Sequence, residues 1–471
     1  MNLECPPPQD IIIIGISGDL SQRKLLPALY NLAAADLLPK RGQIIGLART
    51  DLGHEGFIDF ARRSIKLFSH TGFDKKVWSL LEPRLTFIRL DNEGYARLRE
   101  FAKEKERLIY LALPPSVVPE IIRNLQKADL VSGTRLVVEK PFGWDLESAK
   151  ELARLSHETF DESQIFRIDH YLGKETVQNI LVVRFGNSMF ERVWNRDAID
   201  HMQITVAESI GIEQRGAFYE EVGALRDIIQ NHIFQVLSLL TMEPPASFEP
   251  EAIRDERAKL FKAMHPLDPA NVVRGQYTRG RVDGHEVPGY REEEGVSPDS
   301  TTETFAALKL FIDNWRWAGV PFFLRTGKRL PLRATEVLIA FREVPIRFFE
   351  GTGVEELRPN HLTLDIQPEE EIKLSFVAKV PGPEIKVKSV EMRFSYGESF
   401  MSKPAEAYER LIHDAMVGNH TLFARRDAVE SAWAVMQPVL DNMPPIHFYR
   451  AGTWGPQVAE SIIAPRQWHL R

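Results

Sequence analysis

The chain reads as two parts of different class: an N-terminal α/β part on a doubly wound parallel sheet, then an α+β part on a large mixed or antiparallel sheet. Three observations predict this. Up to about residue 170, strand-sized apolar runs alternate with helical spacing, which implies βαβ units. Beyond about residue 180 the pattern turns to period-two alternation, that of strands with one face in water. A length of 471 residues also exceeds what one compact core usually holds.

Taken in order, residues 11–14 are a β-branched run suited to a strand buried on both faces. The run breaks at Gly15-Ile16-Ser17-Gly18-Asp19, and helical spacing follows at Leu25, Leu26, Leu29 and Leu32. Residues 43–48 return as a strand. Residues 108–113 are a third, stopped by Pro114-Pro115 and followed by a helix over 118–125. Short strands at 135–138 and 165–168 complete the first domain, so the expected division is 1–170 and 171–471. In the second domain the alternation predicts strands at 200–207, 336–342, 361–367, 371–378 and 385–395. Helices are expected at 218–241, 302–314, 404–416 and 425–437, and residues 280–300, rich in Gly, Glu and Pro, as a long surface excursion.

Composition narrows the function classes. With 59 basic and 66 acidic residues the net charge is -7, which makes a poor general binder of nucleic acid. An anionic ligand would need a local cluster of cations. The single cysteine, Cys5, excludes an intrachain disulfide and fits a reducing compartment. No basic stretch leads into an apolar region at the N-terminus, and the early apolar run is far too short to span a membrane. The expectation is a cytoplasmic protein with neither nucleic-acid nor membrane partners.

Five strings carry chemistry. Gly15-x-Ser17-Gly18-Asp19-Leu20 follows a strand and opens a helix, where small residues let the backbone approach a pyrophosphate. The full G-x-G-x-x-G pattern is absent, so an ordinary strand–helix turn is the competing reading. Arg49, at the end of the second strand, suits the 2′-phosphate of NADP, although nearby Asp51 leaves NAD open as a secondary cofactor. Glu139-Lys140-Pro141 places a lysine at a strand end facing a ligand crevice, or else merely caps a helix. His170, Tyr171 and Lys174 lie within five residues and form a candidate phosphate cradle. In the helix at 225–232, Asp227 and Asn231 share a face, whereas Asp227 and His232 stand about 140° apart on an α-helix. If His232 is a base, its carboxylate partner must come from elsewhere, and Asp169 is the best candidate. The run from Arg325 through Lys328 and Arg329 to Arg333 is either a solvated basic loop or further charge for a sugar phosphate. No Cys/His arrangement suggests a metal.

Together these strings resemble the glucose-6-phosphate dehydrogenase family. The resemblance is carried by GISGDLSQRKL at 15–25, GLART at 46–50, VEKPFG at 138–143, RIDHYLGKETVQN at 167–179, RDIIQNH at 226–232, STTETFAAL at 300–308, FLRTGK at 323–328 and AGTWGP at 451–456. It implies a Rossmann-type N-terminal domain and a C-terminal β+α domain whose large sheet forms a dimer interface, hence a homodimer or homotetramer. It implies oxidation of D-glucose 6-phosphate to 6-phospho-D-glucono-1,5-lactone with reduction of NADP, the first oxidative step of the pentose phosphate pathway. On this resemblance Gly15, Ser17, Gly18, Asp19 and Leu20 lie at the cofactor phosphates, Arg49 at the 2′-phosphate, and Lys140 between cofactor and sugar. His170, Tyr171 and Lys174 hold the substrate phosphate, and Glu208 and Asp227 hold sugar hydroxyls. Lys328 and Arg333 add cations, Gln367 matches less closely, and His232 is the base steadied by Asp169. The Lys140–Pro141 bond is expected to be cis. Animal members bind a second, structural NADP through basic residues, but Ala334, Leu338 and Asp365 stand at matching positions here, so no such site is expected.

Two rival readings remain at this point. A sugar oxidoreductase of the Glu-Lys-Pro type acting on an unphosphorylated sugar would leave the cradle superfluous. A non-catalytic NADP sensor would not need Lys140, Asp169, Asp227 and His232 together. Replacing Arg49 with Ala should weaken NADP far more than NAD, because only NADP offers a 2′-phosphate to a guanidinium. Equal losses in the two Kd values would remove Arg49 from that role.

Overall fold

A computed structural model of the chain describes residues 4–469, apart from 92, 214, 347, 350–358 and 401–405. It divides into two compact units. The first comprises Met1–Glu175 with Pro245–Ala258 and Pro404–Glu430; the second comprises Thr176–Pro244, Lys259–Lys403 and Ser431–Arg471. Sequence periodicity divides the chain once, at 170/171, and has no means of showing that two later segments belong with the first unit.

The first unit is built on parallel strands β1 (Gln9–Ile14), β2 (Ile44–Ala48), β3 (Leu85–Arg89), β4 (Glu106–Leu111), β5 (Thr134–Glu139) and β6 (Ile165–Ile168). Their order across the sheet is β6-β5-β4-β1-β2-β3, and the short strand Phe423–Ala424 pairs antiparallel on the β6 edge. Ile11 to Ile14 are at most 2% exposed, as expected for a strand covered on both faces. The chain winds outward from β1 in both directions, so its C-terminal end is the switch point where such sheets bind ligands. Gly15 sits there with φ of +100°, and a Cβ on it would lie 2.3 Å from the carbonyl oxygen of Ala112, just beyond β4. Only glycine fits that approach.

The second unit is a mixed sheet, nine-stranded among the described residues. Its strands are β7 (Ile199–Ala207), β8 (Val272–Thr278), β11 (Phe305–Leu310), β12 (Phe322–Gly327), β13 (Ala334–Phe341), β14 (His361–Gln367), β15 (Glu371–Lys379), β16 (Val387–Ser395) and Ile446–Arg450. The order is β16-β15-β14-β13-β7-β12-β11-β8 and then Ile446–Arg450. Pairing is antiparallel except for β7 with β12 and β8 with Ile446–Arg450. Strands β9 (Gly280–Val282) and β10 (His285–Val287) form a separate hairpin.

Two expectations are corrected. Residues 302–314 are not a helix: Phe305–Leu310 is strand β11, paired on both sides by β12 and β8. Ala, Leu and Lys favour helix locally, but a central position between two strands overrides that preference. The helix expected over 218–241 is broken at Gly223, whose φ of 66° and ψ of 174° leave the helical region. Residues 280–300 are largely exposed, as expected of a surface excursion, and are anchored by Tyr290, which is fully buried and donates to Glu220 at 2.6 Å. Of the helix expected over 404–416, residues 404 and 405 lie outside the described residues, and the rest falls in the helix Ala407–Val417.

Gly15→Ala should destabilise the protein by about 1–3 kcal/mol through backbone strain alone, and by more through the clash with Ala112. Thermal unfolding checks this, and an unchanged Tm would refute the close approach.

Candidate active site

In the first unit the turn after β1 presents Ser17, Gly18 and Asp19 on the surface, with Gly15 beneath. The Gly18 N–H donates to the Gly15 carbonyl at 3.0 Å and Ser21 Oγ donates to it as well at 3.0 Å, which fixes the turn as the next helix begins. Leu20 is partly buried at that helix start. Arg49 is exposed at the end of β2 and has no hydrogen-bond or ion-pair partner among the described residues. Asp51, its acidic neighbour, already accepts from the Gly53 N–H at 3.0 Å and lies 4.0 Å from Arg89. The residues therefore fit NADP: a close-approach glycine, small residues at a helix start, and a cation uncommitted to protein.

Glu139 and Lys140 end β5, and the Lys140–Pro141 bond is cis, as the resemblance implied. The helix-cap alternative is excluded, because the following helix Leu146–His157 is capped by Asp145 through the Ser148 N–H at 2.8 Å. Glu139 instead accepts from the hydroxyls of Tyr110 and Tyr408. Burial pushes its carboxyl up to about 7; Asp169 adds to this, while Tyr110, Lys140 and Tyr408 oppose it. Sequence reading missed both tyrosines, because β4 and the helix Ala407–Val417 lie far apart in the chain.

Asp169 to Lys174 form successive tight turns, with Leu172, Gly173 and Lys174 N–H groups donating three residues back at 3.0, 3.2 and 3.1 Å. The buried Asp169 carboxylate accepts from the Tyr171 N–H at 2.9 Å, which fixes its direction. Lys174 Nζ stands 3.7 Å from the centroid of the Tyr171 ring. The His170 ring is 5.2 Å from that of Tyr171 and stacks on Tyr408 at 6.2 Å. The three cradle residues are thus brought together, and Tyr408 connects His170 to Glu139.

In the second unit, Leu225–Ile233 is a π-helix, in which the Phe234 N–H reaches the Ile229 carbonyl five residues back. Such a helix brings residues five apart near one face, so the 140° separation expected for Asp227 and His232 does not apply. The Asn231 amide donates to the Arg226 carbonyl at 2.7 Å, inside its own helix. His232 is 2% exposed. The helix begins on a buried carboxylate that sequence reading assigned no role. Glu303 accepts from the Leu225 N–H at 3.1 Å and from Arg274 Nε at 3.1 Å. Its only sequence signal is a lone acid inside the Thr-rich and apolar stretch 301–308.

Lys328 donates to Glu208 at 2.7 Å, so two expected substrate residues are already a pair. The basic run is no solvated loop. Arg325 is 1% exposed, with its guanidinium 4.8 Å from the Trp454 ring and 4.6 Å from the Trp468 ring. Arg329 faces Glu293 at 3.5 Å, and only Arg333 is exposed. Gln367 ends β14, and Asp365 on that strand is buried and accepts from Lys373 at 2.8 Å.

A doubly wound sheet with a close-approach glycine turn at its switch point and an uncommitted guanidinium at the end of β2 fits the class of NADP-linked dehydrogenases. Similarity to known proteins makes the class specific. Residues 12–179 match the family description "Glucose-6-phosphate dehydrogenase, NAD binding domain", and residues 181–469 match "Glucose-6-phosphate dehydrogenase, C-terminal domain". The glucose-6-phosphate 1-dehydrogenase of Chlamydia muridarum is 43% identical over 97% of this chain and 96% of its own. The crystal structure of that enzyme from Mycobacterium avium is 41% identical with a TM-score of 0.86, over 98% of this chain and 99% of its own. A glucose-6-phosphate dehydrogenase in complex with its substrate glucose-6-phosphate is 37% identical with a TM-score of 0.90, over 99% of both chains. The chain belongs to the glucose-6-phosphate dehydrogenase family.

Glu139 generates a pH prediction. Its folded value of about 7 lies above the ordinary 4.5, so between these pH values the native state holds a proton the unfolded chain has lost. This contribution is full below about pH 4.5 and is lost as pH rises through about 7. The Tm of the wild type relative to Glu139→Gln, which cannot ionise, should therefore fall across that window. A constant difference between the two would show that Glu139 does not titrate there.

Proposed function

We propose that the chain oxidises glucose 6-phosphate at C1 to 6-phospho-D-glucono-1,5-lactone, with NADP as the oxidant. The observation that carries this reading is His232, buried on a π-helix whose start is held by Glu303, in a unit that also contains the Glu208–Lys328 pair. His232 takes the proton from the O1 hydroxyl, and the electron pair left on O1 becomes the second bond to C1. NADP, when bound, accepts the hydride released from C1. Neutral imidazole suits that proton transfer near pH 7, and a carboxylate beside it stabilises the imidazolium formed. Asp169 takes that role in our reading, and its direction, fixed by the Tyr171 N–H, supports it.

His170, Tyr171 and Lys174 hold the substrate phosphate, with Lys140 between sugar and cofactor. Glu208 and Asp227 hold sugar hydroxyls, Lys328 and Arg333 add cations to the substrate site, and Gln367 is the weaker match. Gly15, Ser17, Gly18, Asp19 and Leu20 receive the cofactor phosphates and Arg49 the 2′-phosphate, with NAD as a secondary cofactor. We also read the protein as a cytoplasmic homodimer or homotetramer. A single cysteine supports the compartment, and exposed Val390, Met392 and Phe394 on one face of β16 support sheet-mediated assembly. Among the described residues no helix is long and apolar enough to cross a membrane.

NADPH absorbance with glucose 6-phosphate, compared with glucose and galactose 6-phosphate, tests the reaction. His232→Asn should bind both ligands with near-native affinity and lose about 10²–10⁴-fold in kcat. Asp169→Asn should also lower kcat, and the double variant should lose no more than His232→Asn alone, because the two act as one unit. A His232→Asn enzyme turning over at the wild-type rate would overturn the mechanism.

A further inference from the structure

Tyr219 has no assigned role, yet its ring lies against Lys328, one of the residues read above as holding the sugar. It lies on the helix Gly216–Ala224 and is 4% exposed, with its ring edge-on to Tyr290 at 6.1 Å between centroids. The Lys328 ammonium stands 5.1 Å from its ring centroid while bonded to Glu208. Its hydroxyl is buried and makes no hydrogen bond among the described residues. That is unusual, since a buried phenolic hydroxyl ordinarily finds a partner and is costly without one.

The polar groups around it are already engaged. Burial raises the Tyr219 phenol, and Asp227, Glu303, Glu208 and Tyr449 add to the rise, which identifies the groups that face it. Glu303 is held by Leu225 and Arg274, and Glu208 by Lys328. The Tyr449 hydroxyl donates to the Lys328 carbonyl at 2.6 Å. Asp227 has partners of its own. An O–H in this position, buried, unbonded and beside two carboxylates assigned to sugar hydroxyls, is placed to take its partner from the ligand.

We propose that Tyr219 is a further substrate-positioning residue, whose hydroxyl bonds a ring hydroxyl of the sugar held by Glu208, Asp227 and Lys328. The inference rests on the reading of those three as the sugar site. It gives the site a way to reject sugars lacking that hydroxyl, because the phenol would stay buried and unbonded when they bind.

Tyr219→Phe removes the hydroxyl and keeps the ring, its contact with Lys328 and its packing on Tyr290. The KM for glucose 6-phosphate should rise about three- to tenfold, the range expected for one neutral hydrogen bond. The KM for NADP should stay unchanged and Tm should not fall, since no protein partner is lost. Wild type and variant should then be compared on the 2-, 3- and 4-deoxy analogues of glucose 6-phosphate. For one analogue, the one lacking the bonded hydroxyl, the two enzymes should share the same KM. A variant with the wild-type KM, an equal penalty on all three analogues, or a fall in Tm would each overturn the contact. A wild type that fails to reduce NADP with glucose 6-phosphate would overturn the underlying reading as well, so the two failures are distinct.

Discussion

The Glu303 carboxylate is the interaction on which the helix carrying Asp227 and His232 depends. It is 2% exposed, and a buried charge persists only when it is paired and hydrogen-bonded. Arg274 supplies the pairing, and that arginine is itself held by the carbonyls of Pro444 and Thr301 at 2.7 and 2.6 Å. The other bond comes from the Leu225 N–H, one of the donors a helix start leaves unsatisfied. The Glu303 carbonyl accepts from the Ala224 N–H at 2.9 Å. The carboxylate comes so close that a Cβ at residue 223 would lie 2.3 Å from its Oε1, so Gly223 is the residue that fits, at a positive φ. The break in the helix and the placing of Asp227 and His232 are thus consequences of one carboxylate.

A comparable economy holds in the first unit. Winding outward from β1 places the end of that strand beside the end of β4, and Gly15 is what lets the turn lie against Ala112. One strand further along, β5 delivers Glu139 and Lys140 to the same edge of the sheet. Tyr110 and Tyr408 then hold Glu139 from a neighbouring strand and a distant helix. Because Tyr408 also stacks on His170, the Glu139 carboxyl, which burial pushes up to about 7, is linked to His170 through a single ring.

The basic run at 325–333 shows how one local composition can serve different ends. Strand alternation sends Arg325 inward between two tryptophans, where burial pulls its guanidinium down to about 10. Lys328, just past the strand, goes to Glu208, and Arg333 is left in solvent. Charge density alone would have given all of them the same fate.

Much of this protein was legible in its sequence, because the signals are local. Period-two and helical spacing reflect which side chains face water, so they revealed both sheets and several of the helices. Glycine at a strand end, lysine after a buried strand and the close-set His170, Tyr171 and Lys174 made the candidate site legible through residue type and spacing. The tertiary structure decided what depends on partners remote in the chain. Phe305–Leu310 became a strand because β8 and β12 flank it, although its residues favour helix. The π-helical geometry of Leu225–Ile233, the tyrosines on Glu139 and the unbonded hydroxyl of Tyr219 likewise arise from contacts that span long stretches of sequence. Local preference amounts to a few tenths of a kcal/mol per residue, whereas burial and the satisfaction of buried polar groups amount to more, and they are settled only when the chain is folded.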